Sequence, residues 1–389
     1  VNSPAPYRFR SARRGAVAAA VAVAAGALTL GSLAPPAVAA SGDGPGLART
    51  DVVQQRLNAL VADDGQPGVL AAVRGRDGRT RNYTAGVGDL ANGAKVPVDG
   101  QIRIGSNTKT FVAVVVLQLV AEGKVDLDAS VDTYLPGLVH GDGIDGRNIT
   151  VRQILQHTSG LADYTSFLEM SGADQYIEPR ALLDVALAHK PDFAPGAGWK
   201  YSNTGYVVAG LIVQKVTGRP VGEEITKRVI DRIGLRHTYF PAQGDMTIRE
   251  RHPHGYLSEK PGDPLQDITE MDPSWAWAAG AMVSTNTDLN RFFSALIGGE
   301  LLPPAQLTQM RTTIPAEYMG PGARYGLGIE SHPLPCGGLS WGHGGSLPGY
   351  TTRGGVTEDG RAANIAVTTL PSHEVKQRVA DAADAALCR

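Results

Sequence analysis

The segment from Phe111 to Val120 is apolar at every position except Gln118. It is too continuous for a surface helix with one wet face, and at about ten residues it is too short for a membrane span of ~20. It has to be a helix surrounded by protein, so the chain has to fold into a domain large enough to enclose one. A length of 389 residues, with 42 % hydrophobic and 19 % charged residues, supplies that mass and argues against disorder. The helix is entered through Gly105-Ser106-Asn107-Thr108-Lys109-Thr110-Phe111. Ser106 and Lys109 are three apart, which puts them on one helical face at the end of a buried element.

The first forty residues have a different character. Arg8, Arg10, Arg13 and Arg14 precede a run of Ala, Val, Gly and Leu that ends in Ala37-Val38-Ala39. This is the pattern of a secretory signal, so residues 1–39 are expected to be removed and the protein to be secreted. The Arg13-Arg14 pair hints at twin-arginine export, although the residues after it match that motif poorly. Loss of the four Arg takes the formal net charge from −2 to about −6. An acidic protein without a basic cluster is a poor partner for nucleic acid. No later apolar run reaches ~18 residues, so no bilayer anchor is expected. The two cysteines, Cys336 and Cys388, are expected to pair in an oxidising compartment.

Along residues 40–389, expected to be one catalytic domain, a first helix precedes two strands around the turn Asp77-Gly78. Leu/Ile/Val segments at helical spacing then fill a block from about 123 to 270. One more helix follows within residues 280–299. Short strands run from Tyr325 to Leu370, and an amphipathic helix closes the chain. Strands at both ends with helices between predict an α+β fold: an antiparallel sheet from N- and C-terminal segments, flanked by helices, with an inserted mostly helical lobe.

A serine hydroxyl becomes a nucleophile when a neighbouring base takes its proton, and a lysine is such a base only when desolvation or positive surroundings lower its pKa. The N-terminus of a buried helix offers both. Ser-x-x-Lys alone is common by chance, but it occurs once here, followed by a single Tyr201-Ser202-Asn203 before an apolar helix and a single His343-Gly344-Gly345 at the end of a strand. His157, before a Thr-Ser-Gly turn, reads as a structural hydrogen-bonding group. His252-Pro253-His254 lacks the acidic or cysteine partners of a metal site, so no metal or other cofactor is expected.

These three motifs, in this order, resemble the penicillin-recognising serine hydrolases, the β-lactamases and penicillin-binding proteins. Their Tyr-x-Asn and His-x-Gly forms resemble class C β-lactamases and, more closely, secreted serine D-alanyl-D-alanine carboxypeptidases. The likeness extends through "ITVRQILQHTSGL", "YSNTGYVVAGL", "SWAWAAGAMVSTNTDLNRFFSAL" and the Cys336/Cys388 pair. It implies a β-lactamase/transpeptidase-like fold and an acyl-enzyme on Ser106. Lys109 and Tyr201 would move the proton, Asn203 would hold Lys109 and the substrate amide, and His343 would stand where other members carry a lysine. The Ser106 and Ser346 N–H groups would form the oxyanion hole. Gly344 and Gly345 would let a substrate backbone lie along the strand, with Trp275 as a cleft wall.

Some positions depart from the carboxypeptidase pattern. Gly344 stands where those enzymes have a threonine, and Glu330 where an arginine binds the substrate's terminal carboxylate. The first expectation is still a D-alanyl-D-alanine carboxypeptidase, a monomer that acts on peptidoglycan-type peptides and is acylated by β-lactams. The alternatives are a D-aminopeptidase, D-amino-acid amidase or esterase, for which Glu330 would meet a cationic substrate group, a β-lactamase, or a receptor that binds without turnover. Arg353, on the neighbouring strand, is the candidate replacement for the missing arginine.

Overall fold

A computed structural model describes residues 51–168, 175–260 and 262–389. The expected signal, residues 1–39, lies outside them. The described chain begins at Asp51, whose carboxylate accepts from the Val53 N–H (3.0 Å) and caps helix α1 (Val52–Ala62). Strands β1 (Gly68–Arg74) and β2 (Thr80–Asp89) form the hairpin expected around Asp77-Gly78, with Gly78 at φ +72° in the turn. The short β3 (Ala94–Lys95) pairs with β2.

Helix α2 (Asn107–Ala121) follows, and it is the buried helix the sequence requires: every residue from 107 to 119 is inaccessible. Its one polar mid-helix residue, Gln118, donates to the carbonyl of Leu301 (3.0 Å), which satisfies an amide that would otherwise be costly to bury. In the same core as α2 lie α3 (Val151–Gln156), α4 (Pro179–Leu187), α5 (Thr204–Thr217) and a helical stretch from Val221 to Ile233 that contains a π-turn over Thr226–Ile230; α5 and that stretch pack directly on α2, and α3 and α4 pack on α5. The separate helix expected after the block is α6 (Asn286–Ile297), and a further one, α7 (Pro304–Arg311), follows it. The sequence reading passes over α7 because only Met310 on it is buried, so it has no apolar face to read.

The C-terminal part supplies β4 (Ile314–Pro315), β5 (Arg324–Tyr325), β6 (Glu330–Pro333), β7 (Leu339–Gly342), β8 (Gly345–Leu347), β9 (Tyr350–Val356) and β10 (Ala362–Val367), then α8 (His373–Leu387). These strands and β1–β3 form one ten-stranded antiparallel sheet of order β4-β5-β6-β7-β9-β10-β1-β2-β3, with β8 paired to β9. The joint between the two ends of the chain is β1 against β10, in the register Ala71↔Ile365. Helices α1 and α8 cover one face of the sheet, where Val69, Ile365 and Val367 meet Leu57 and Val379. On the other face α6 is tied to β1 by Asn286 and Asn290, whose amides donate to the carbonyls of Leu70 (2.9 Å) and Ala72 (2.8 Å). Phe292 of α6 stacks on Phe111 of α2. Cys336 and Cys388 form a disulfide that ties the β6–β7 turn to the end of α8.

Candidate active site

Between Gln101 and Leu119 a single residue reaches the surface, and it is Ser106. It stands at the N-cap of α2 with helical dihedrals and makes no capping bond with its side chain. The hydroxyl is thereby left to point the way its i+3 neighbour does. Nζ of Lys109, fully buried, lies 2.9 Å from Ser106 Oγ, 2.7 Å from Asn203 Oδ1 and 2.7 Å from the carbonyl oxygen of Ala279. Burial pulls its pKa down to about 7, against the upward influence of Asp163 and Glu330. A neutral amine has two N–H bonds and one lone pair. Because Asn203 Oδ1 and Ala279 O can only accept, the two N–H bonds go to them and the lone pair faces Ser106.

Asn203 itself is oriented from behind, since its Nδ2 donates to Asp163 Oδ2 (2.9 Å). Tyr201, two residues earlier, lies with its ring 4.9 Å from Lys109 Nζ. Burial raises its phenol well above the ordinary value, although the nearby Ser106 hydroxyl acts in the opposite sense. The Tyr201 ring packs on His157 (centroids 4.2 Å apart), whose Nδ1 accepts from the Ser202 N–H (3.2 Å). His157 is thus the structural group its turn implies, and what it braces is the Tyr201 loop.

The third motif lies where β7 leaves the ladder and β8 begins. Gly345 runs so close to the entry of α2 that a Cβ there would stand 2.0 Å from Ile104 O. A Cβ on Gly105 would likewise be 2.8 Å from Ser346 N. The backbone at Ser346 is therefore in contact with the residue before Ser106, and Asn107 fastens the junction by donating to Ile104 O (2.7 Å) and Thr352 Oγ1 (2.8 Å). The Ser106 N–H has no acceptor among the described residues. A pair of N–H groups at a helix start and a strand edge can receive a developing oxyanion.

On the Cβ side of Gly344 and Gly345 lies the protein's own chain: Ile104 O and Asn107 at 345, and at 344 the Arg353 side chain, whose Nη1 would lie 2.8 Å from a Cβ. Glu330, assigned to the substrate, is buried against His343 and His332 (3.3 and 3.0 Å) and does not face the cleft. Burial would raise its carboxyl, but the two imidazoles and Arg353 outweigh that and hold it at about 2. His343 is placed as expected, beside Tyr201 and the strand edge. Burial lowers its pKa more than Glu330 raises it, so it stands neutral where a lysine would be charged. Trp275 lies in a cluster with Leu347 of β8, as a wall would, but it is nine-tenths buried.

Sequence reasoning missed Asp163, Tyr325 and the carbonyl of Ala279. Asp163 sits before a Tyr-Thr-Ser turn whose N–H its carboxylate also accepts (3.0 Å to Thr165 N), so in sequence it looks like any capping aspartate. Tyr325 reads as an ordinary strand aromatic, and a backbone carbonyl carries no sequence signal.

A model of the family described as beta-lactamase matches residues 53–388. The chain belongs to the beta-lactamase family. A D-stereospecific amidohydrolase from Streptomyces sp. has a similar structure, with TM-score 0.77 and 40 % identity over 85 % of this chain and 97 % of that one. D-amino acid amidase from Ochrobactrum anthropi SV3, complexed with L-phenylalanine amide, aligns with TM-score 0.77 and 31 % identity over 86 % of this chain and 96 % of its own. Penicillin-binding protein 4 from Amycolatopsis lactamdurans is 30 % identical over 61 % of this chain; the present beta-lactamase family member spans 61 % of that protein's length.

Proposed function

We propose that this beta-lactamase family member is an exported serine hydrolase that cleaves an amide next to a D-amino acid through an acyl-enzyme on Ser106. The observation that carries the reading is the Lys109 amine, buried, near pKa 7, and held by two pure acceptors so that its lone pair addresses the one hydroxyl at the surface of the buried helix. Near neutral pH Lys109 is the available base, since the Tyr201 phenol is pushed in the opposite direction.

In this mechanism Ser106 Oγ attacks the carbonyl carbon while its proton passes to Lys109 Nζ. The carbonyl oxygen, now anionic, is held by the Ser106 and Ser346 N–H groups. Collapse breaks the C–N bond, and the leaving nitrogen takes a proton delivered from Lys109 along the Tyr201 hydroxyl. Water then repeats the sequence on the ester and releases the acid. Penicillins, whose strained amide presents the same carbonyl, acylate Ser106. The similar amidohydrolase and amidase structures favour an amide substrate with a free amine over one recognised by its terminal carboxylate. Export rests on residues 1–39 and on the Cys336–Cys388 disulfide.

A second reading, the D-alanyl-D-alanine carboxypeptidase, is favoured by Arg353, whose guanidinium lies beside Gly344 in the volume a side chain at that position would take. The test uses two matched D-peptides, one with a blocked amine and free carboxylate, the other with the ends reversed, and a Ser106→Ala control. Ser106-dependent cleavage of only the peptide with the free amine is the expected result. Cleavage of only the one with the free carboxylate would establish the carboxypeptidase, and no Ser106-dependent turnover together with no mass gain from benzylpenicillin would refute the acyl-enzyme.

A further inference from the structure

Behind the strand edge lies a chain of groups that the mechanism does not use. His343 Nδ1 is 2.6 Å from the carbonyl of Gly344, which can only accept, so Nδ1 carries the proton. In the neutral ring Nε2 is then an acceptor, and it faces the Tyr325 hydroxyl at 3.0 Å. Tyr325 is fully buried among Tyr201, Tyr206 and His157. On the other side Glu330 Oε1 lies 3.3 Å from His343 Nδ1, a charge contact without a hydrogen bond, and Glu330 Oε2 accepts from His332 Nε2 (3.0 Å), whose side chain is 32 % exposed. The line runs from solvent through His332, Glu330, His343 and Tyr325 to the wall that carries Tyr201.

We propose that Glu330 is a positioning residue for His343, its carboxylate 3.3 Å from Nδ1 favouring the ring that keeps its proton there for the Gly344 carbonyl and leaves Nε2 on Tyr325, and that with His332 it sets the charge environment in which Lys109 works. The inference rests on the reading above that Lys109 and His343 border the reacting centre. The other groups facing this line are Arg353 from β9, Lys109 from α2 and Tyr201, with Asp384 of α8 facing His332 and Lys376 of α8 facing Arg353. Arg353 is a cation against which the Glu330 carboxylate acts. At Lys109 the carboxylate favours the ammonium form, so it delays the appearance of the free base as pH rises.

Two substitutions separate this role from a structural one because they act in opposite directions. Glu330→Gln keeps the shape and one acceptor but removes the negative charge, so the acid limb of the pH profile of kcat/KM moves to lower pH by ~0.5 unit. His332→Gln removes a cation beside Glu330, and the limb moves to higher pH. A readout that needs no turnover is the NMR titration of the His343 imidazole: its midpoint falls in Glu330→Gln and rises in His332→Gln, and the wild-type ring shows the Nδ1–H tautomer. Unmoved midpoints, shifts of the same sign in both variants, or an Nε2–H tautomer would overturn the inference. Wild-type enzyme without Ser106-dependent turnover would sink the hydrolase reading instead, while the imidazole titration would still decide this one.

Discussion

Gly345→Ala is the sharpest single perturbation the site allows. The added Cβ would stand 2.0 Å from Ile104 O and 2.8 Å from Asn107 Nδ2, where real Cβ contacts essentially never fall below 3.0 Å. Neither neighbour can yield: Ile104 is held by its N–H on Met282 O (3.0 Å), and Asn107 by its bonds to Ile104 O and Thr352 Oγ1. Strand β8 must therefore back away by about 1 Å, which carries the Ser346 N–H off the point it shares with the Ser106 N–H. A shift of that size, or the loss of one oxyanion donor, costs ~10²–10³ in kcat, while overpacking costs ~1–3 kcal/mol of stability. The assay is steady-state hydrolysis of the better D-peptide, with thermal melting run in parallel. The matched control is Gly344→Ala, whose Cβ meets the end of a flexible arginine at 2.8 Å and is expected to lose less than ~10-fold. If Gly345→Ala keeps more than about a tenth of wild-type kcat while folded, the contact between helix entry and strand does not set the oxyanion geometry.

Since Lys109 has a pKa of about 7 and must be neutral to accept the Ser106 proton, kcat/KM should fall about tenfold per pH unit below that value. The raised Tyr201 phenol predicts no matching loss through its ionisation on the alkaline side up to its ordinary value near 10; a pH–rate profile checks both limbs. Removing the disulfide by Cys336→Ser with Cys388→Ser frees a crosslink between residues 52 apart and should cost up to about 4 kcal/mol, read as a lowered denaturant midpoint with little change in kcat. Gly344→Thr should be destabilising alone and milder on an Arg353→Ala background, since Arg353 occupies the space the threonine needs; additive effects in the double-mutant cycle would contradict that packing.

Sequence alone carried the fold because its main devices are patterns: an apolar run that only a buried helix explains, a hairpin turn at Asp77-Gly78, and strands at both ends that have no partner except each other. The catalytic candidates were readable for a similar reason, since Ser106/Lys109, Tyr201/Asn203 and His343 are local motifs whose setting could be inferred. The substrate end was not readable. Glu330 stands opposite Gly342 on the neighbouring strand, and whether its carboxylate turns to the cleft or to His343 depends on side-chain packing that no spacing encodes. Asp163 and the carbonyl of Ala279 came to light only when α5 and the short helix Trp277–Gly280 were placed beside α2.

The departures from the carboxypeptidase pattern are physically connected. Glycine at 344 leaves a volume that Arg353 fills, its Nη1 donating to the carbonyls of Thr352 (2.7 Å) and Gly345 (3.3 Å). A half-buried guanidinium whose hydrogen-bond partners among the described residues are carbonyls is costly, and the Glu330 carboxylate supports its charge. The same carboxylate, held ionised by His332 and Arg353, lies 3.3 Å from a neutral His343 where a cationic lysine would otherwise stand. Threonine at 344 would displace Arg353, and without Arg353 the Glu330 carboxylate would lose a cation. An arginine at 330 would take the place of the carboxylate His343 leans on. The three positions are therefore coupled, and with ionised Glu330 buried behind it the strand edge is less favourable to an anionic substrate group than one backed by an arginine and a lysine.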